Sequence, residues 1–206
     1  EMDRIAADVL DDSFRTALEG ESRNFRESSS SLLFAFGLAI LLIFLVMAAQ
    51  FESFKDPFVI MFSVPMALFG ALLFMWIAGV TMNIYSQIGI IMLIGLVAKN
   101  GILIVEFANQ RQQAGLNKHK AIIEASVQRL RPILMTSIST ILGLLPLMFA
   151  TGEGANGRIA MGTAVVGGLL ISTLLTLFVI PVMYIYFSTD REALKIKKNQ
   201  ERTSNV

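Results

Sequence analysis

Ile84-Tyr-Ser-Gln-Ile-Gly-Ile-Ile-Met-Leu-Ile-Gly-Leu-Val-Ala-Lys-Asn-Gly-Ile-Leu-Ile-Val-Glu-Phe-Ala108 is the stretch that decides how this chain folds. From Ile88 to Ala98 it has no polar side chain; Lys99 and Asn100 interrupt it, and Gly101 to Val105 is apolar again. A helix rises about 1.5 Å per residue, so the run is long enough to cross a hydrocarbon layer about 30 Å thick. Lys99 then lies roughly 20 Å from the Tyr85 end and about 15 Å from the Asn109 end, too deep for four methylenes to carry the ammonium comfortably to an interface. Intramembrane cations are costly unless paired, and they mark ion or proton pathways. The plainer alternative is a lysine that clamps neighbouring helices through carbonyls or one fixed carboxylate.

Outward from this stretch, 54% of the 206 residues are apolar and the excess falls in long runs. The chain therefore reads as an all-α, polytopic membrane protein with five spans. Leu32–Ala49 is the first, with Ser28 to Ser31 able to cap its start. Gln50 to Asp56 is a polar turn, and Pro57 suits the first position of the second span, 58–79, which Pro65 kinks and Trp76 anchors near an interface. The third span is 85–108. In the polar segment 109–131, Gly115 and Asn117 make a turn. An amphipathic helix over 121–131 follows, with Ile122, Ile123, Val127 and Leu130 on one side, expected to lie along the membrane surface. The fourth span, 133–150, is bent at Pro146. The glycine-rich loop 151–157 has no Lys-Ser/Thr pair behind it and so is no phosphate cradle. The fifth span is 159–187, and 188–206 is a polar tail, expected to be disordered beyond Glu192. Residues 1–31 are charged, with a short amphipathic helix around Ile5, Val9, Leu10 and Phe14. They read as the close of an extramembranous domain whose bulk lies upstream, because they are too short for a core of their own.

Basic residues set the orientation. Arg111, Lys118, Lys120, Arg129 and Arg131 fall in the 109–131 segment, Lys55 in the first turn, and Arg191, Lys195, Lys197, Lys198 and Arg202 in the tail. The loops on the other side hold only Arg158. Positive-inside bias puts 50–56, 109–131 and the C-terminus in the cytoplasm and the N-terminal segment outside. An external N-terminus with an odd number of spans and no signal peptide implies sequence upstream. Cysteine is absent, which excludes disulfides and thiolate metal sites. His119, between Lys118 and Lys120, reads as solvated. With no His/carboxylate cluster and no Ser/His/Asp set in any span, a membrane enzyme has no support.

Lys99 needs a counter-charge. Glu106, seven residues on, shares its helix face but is two turns away, and no other span contains an acid. The partner carboxylate is therefore expected on a helix outside this sequence. The fourth span offers Thr136, Ser137, Ser139 and Thr140, although such hydroxyls commonly bond their own backbone. Arg129 and Arg131 fit ordinary interfacial anchors. Gly89, Gly95 and Gly101, and Gly162, Gly167 and Gly168, leave room for close helix approach, and the methionines read as filler rather than metal ligands.

Gly95-Leu-Val-Ala-Lys-Asn-Gly-Ile-Leu-Ile-Val-Glu-Phe-Ala108 closely resembles the tenth transmembrane helix of resistance-nodulation-division (RND) multidrug efflux transporters. Arg129-Leu-Arg-Pro-Ile-Leu-Met-Thr136, followed by Gly143-Leu-Leu-Pro-Leu147, resembles their eleventh, and Ala49-Gln-Phe-Glu-Ser-Phe54 the turn between the eighth and ninth. The resemblance covers essentially the whole chain, and the Ala-Lys-Asn run points to the hydrophobe/amphiphile subclass. It implies spans eight to twelve of a twelve-helix bundle in the bacterial inner membrane, with residues 1–31 closing the second periplasmic loop. It further implies a proton-driven antiporter, with the proton as coupling ion and no other cofactor. The implied relay joins an aspartate pair on the absent fourth helix to Lys99, Thr136 and Arg129, with Asn100 a weaker member. The implied partners are the N-terminal half that carries the aspartates, two further copies in a homotrimer, a periplasmic adaptor, an outer-membrane channel and the lipid bilayer, with no role for nucleic acid. Counting depth from Pro132 sets Thr136 nearer the cytoplasmic side than Lys99, so its place in the relay rests on the resemblance. A protein-export or lipid transporter of the same superfamily, or a non-transporting scaffold, are the competing readings.

Overall fold

A computed structural model describes residues 21–188, with side chains from residue 32; the N-terminal amphipathic segment and the tail beyond Ser188 lie outside the described residues. The described residues form six helices and no strand: α1 (Glu21–Phe51), α2 (Lys55–Met61), α3 (Ser63–Ile77), α4 (Ile84–Gln113), α5 (Lys118–Met148) and α6 (Ala155–Phe187). Taking α2 and α3 as one span, five are long and apolar enough to cross a membrane.

The α2–α3 junction is the kink expected of Pro65. Proline has no N–H for the carbonyl four residues back and its ring crowds that carbonyl, here Met61, where α2 stops. Phe62 keeps helical angles, and the Ser63 hydroxyl donates to the Ile60 carbonyl at 2.7 Å, so the chain bends without leaving the bundle. Asn83 opens α4 with a capping box: its side chain accepts from the Ser86 N–H, and Ser86 returns the bond.

The amphipathic segment before Pro132 is helical, but it runs without a break into the fourth span as the first part of α5. Lying flat would leave Ile122 and Ala125 at an interface. Instead both are fully buried in one apolar cluster with Val105 and Ala108 of α4, while Ile123, Val127 and Leu130 face outward. The segment is thus apolar on two sides, and it stacks along α4 as a span does.

At the centre, α6 packs along α3, α4 and α5, whereas α1 lies at the periphery with only Met47 and Phe51 buried among its described side chains. Close approach at the centre depends on glycine. A Cβ on Gly168 would sit 2.2 Å from Leu93 Cδ2 and 3.0 Å from the Ala67 carbonyl oxygen. Of the glycines expected to let helices approach, Gly95 has no neighbour within 4 Å and lies on an exposed face. Two apolar clusters result. One, toward the end that carries Lys55 and Lys118, includes Ile60, Ala98 and Ile180; the other, in the opposite half, includes Ala67, Leu93 and Val97.

Candidate functional site

Lys99 and Asn100 fall where the two clusters meet, and they point in different directions. Lys99 is exposed, and among the described residues it has no hydrogen-bond or ion-pair partner. Asn100 is buried, and its side-chain amide donates to Ser137 Oγ at 3.3 Å; Thr173 Oγ1 donates to the same oxygen at 3.1 Å. One polar layer therefore joins α4, α5 and α6 inside an otherwise apolar bundle. It also fixes depth: Thr136, next to Ser137, stands level with Lys99, next to Asn100. Counting from Pro132 misplaced Thr136 because α5 begins at Lys118, fourteen residues earlier.

Lys99 and Thr136 also share a side. A four-residue connection makes α4 and α5 antiparallel. Seen down the bundle, the roughly 100° step back from Asn100 to Lys99 and the step from Ser137 to Thr136 therefore turn in opposite senses. Both bring the side chain to the same flank of the helix pair. Both residues are exposed, so that flank faces away from α6. Gly95, one turn from Lys99, and Gly143, two turns from Thr136, lie exposed with nothing within 4 Å. Thr136 itself donates to the Ile133 carbonyl at 3.1 Å, and Thr140 to the Thr136 carbonyl at 2.8 Å, the backbone bonds expected of hydroxyls in a membrane helix.

Arg129 is two turns before Thr136 on the same face of α5. Its guanidinium lies over the Phe107 ring at 4.5 Å, and Arg111 lies over the same ring at 4.9 Å. Arg111 pairs with Glu124 at 3.0 Å, and among the described residues the buried Nε atoms of both Arg111 and Arg129 have no hydrogen-bond partner. Glu106 accepts from Gln110 at 3.1 Å.

Sequence reading missed a second polar cluster at the Lys55 end. Asp56, read from the sequence as part of a polar turn, is 1% exposed in the first turn of α2. Its carboxylate accepts from Asn109 at 3.0 Å and from the Ser188 hydroxyl at 2.8 Å. Tyr184 donates to Asn109 at 2.6 Å and accepts from Gln112 at 2.8 Å. Asn109 is ten residues from Lys99, or about 15 Å along α4, so Asp56 is not the missing counter-charge. The one signal for it is an acid directly before Pro57, where a helix starts.

Five helices long and apolar enough to cross a membrane, joined by a buried polar layer, make this a multi-pass membrane protein by class. The chain belongs to the AcrB/AcrD/AcrF family, whose model matches residues 1–188. It is 44% identical over 205 residues to a protein of Haemophilus influenzae described as an uncharacterized transporter. The match takes in 96% of this chain but only 20% of that relative's length.

Proposed function

We propose that this chain is the C-terminal membrane half of a proton-driven drug exporter of the hydrophobe/amphiphile subclass, contributing the lysine side of an intramembrane proton relay. The observation that carries this reading is the unpaired Lys99, level with Thr136 on a flank where Gly95 and Gly143 stand bare. An ammonium at that depth needs a carboxylate, and bare glycines leave room for the helix that brings it. The N-terminal half would supply that helix with its aspartate pair.

Such a cluster titrates as a unit. With the carboxylates ionised, Lys99 is held among them. Protonation weakens that attraction, and the arrangement of helices that had been held by it loses its advantage. Thr136 offers a hydroxyl at the same level. Arg129, two turns nearer the basic end, offers a fixed positive charge on the route out. Positive-inside bias places that end in the cytoplasm and the start of α1 on the periplasmic side of the inner membrane. Trimer formation, and docking to a periplasmic adaptor and outer-membrane channel, belong to the same reading.

The test is Lys99→Met in the complete transporter. Lost proton-coupled drug efflux, with normal amount and assembly, is the expected result. Unchanged efflux overturns the reading and leaves a lysine that only holds helices together.

A further inference from the structure

Lys99 and Thr136 do not come to one depth by chance of helix length. Two antiparallel helices in an apolar medium can slide by a turn, about 5.4 Å, and still bury similar hydrocarbon surface. Something directional has to select one register, and among the described residues the side-chain hydrogen bonds across the α4–α5–α6 interface at this depth are those that converge on Ser137. Asn100, Ser137 and Thr173 are 3%, 5% and 4% exposed. A hydroxyl oxygen accepts two hydrogen bonds, and Ser137 Oγ takes one from Asn100 of α4 and one from Thr173 of α6. Sliding α5 by one turn along α4 would break both bonds and leave three polar groups among Val97, Ala98 and their neighbours.

We propose that Asn100, Ser137 and Thr173 form a positioning triad that sets the register between α4 and α5 and so holds Lys99 and Thr136 level on the outer flank. Ser137 and Thr173 thereby gain a role in proton coupling although neither lies on that flank, and Asn100 acts from behind the relay rather than within it. The inference rests on the relay reading for its functional consequence, but the register claim stands on geometry alone.

The experiment uses the complete transporter with Thr173→Val, Ser137→Ala and, as the conservative partner, Thr173→Ser. Two properties are measured beside protein amount and oligomeric state. The first is proton-coupled efflux as a function of pH. The second is the distance distribution between spin labels on cysteines placed at Gln110 of α4 and Ile123 of α5, both exposed, with any cysteine outside these 206 residues replaced first. Loss of an interhelical hydrogen bond in a membrane interior corresponds to about a three- to thirtyfold change in the balance of registers. Thr173→Val and Ser137→Ala should therefore broaden or shift the label distances, lower efflux per assembled transporter by a similar factor and displace its pH profile. Thr173→Ser should restore all three. Label distances and pH profile both unchanged in Thr173→Val and Ser137→Ala would overturn the inference, as would a fall in protein amount with unaltered efflux per molecule. Lys99→Met separates the two levels: normal efflux there removes the relay reading, while the label distances still decide the register.

Discussion

Gly168→Ala adds one methyl group at one of the tightest points of the bundle, and its cost can be worked from the distances there. The new carbon would lie 2.2 Å from Leu93 Cδ2, 3.2 Å from Leu93 Cδ1 and 3.0 Å from the Ala67 carbonyl oxygen. Carbon atoms rest at about 3.5 to 4.0 Å, so the worst contact is short by about 1.3 Å. Leu93 has no exposed surface and no open side to swing toward, and the Ala67 oxygen is backbone, so α3 and α4 both have to give way. Overpacking of this kind costs about 1–3 kcal/mol. The helix-propensity gain of Gly→Ala, about 1 kcal/mol, offsets part of it. A net loss of up to about 2 kcal/mol follows, measurable as a lowered denaturation midpoint of the purified complete transporter in detergent. Leu93→Ala supplies the control, since it removes both Cδ atoms and leaves only the Ala67 oxygen close. In that background Gly168→Ala should be neutral or stabilising, for a coupling of about 1–3 kcal/mol between the two sites. An equal effect of Gly168→Ala in both backgrounds would refute the account of α3, α4 and α6 as a glycine-mediated contact.

Tyr184→Phe removes the hydroxyl that donates to Asn109 and accepts from Gln112; two buried hydrogen bonds lost at about 1 kcal/mol or more each should lower stability by about 2–4 kcal/mol, read in the same denaturation assay. A Cβ on Gly95 would meet nothing within 4 Å among the described residues, so Gly95→Leu starts from an open position. In the complete transporter it should nonetheless block assembly or efflux, because the proposed partner helix packs there; normal assembly and efflux would count against a protein neighbour on that flank.

The five spans were legible because each is a long, mostly apolar run, and Lys99 was legible because it breaks one. What stayed hidden was phase and register. Lys99 and Asn100 are flanked by apolar residues on both sides, so periodicity cannot say which of them faces in. The depth of Thr136 was miscounted because Pro132, preceded by polar residues, looked like a membrane boundary. The helix itself starts earlier, at Lys118, and Ile122 and Ala125 lie in one cluster with Val105 and Ala108, so it is anchored to α4 well before the proline. The Asp56 cluster was illegible for a different reason. Its members come from positions 56, 109, 112, 184 and 188, each unremarkable in its own segment, and only packing of three helices brings them together.

Lys99-Asn100 and Thr136-Ser137 are the same two-residue device on antiparallel helices: an outward residue followed by an inward one about 100° away. The inward pair closes on Thr173. All three inner groups are neutral, and that matters for the outer flank. A carboxylate built into this layer would bring a fixed negative charge within a few ångströms of Lys99, in a medium where such an attraction is strong. Lys99 would then be satisfied within its own half, and an acid approaching from outside would gain little from it. Amide and hydroxyl groups hold the helices through short-range, directional bonds and leave the ammonium's charge unanswered. Register and charge are thereby kept separate: on the proposed relay, α4, α5 and α6 would stay locked whether or not Lys99 is paired, so a change in the protonation of an outside carboxylate would alter the contact with the proposed partner helix rather than the packing of this bundle.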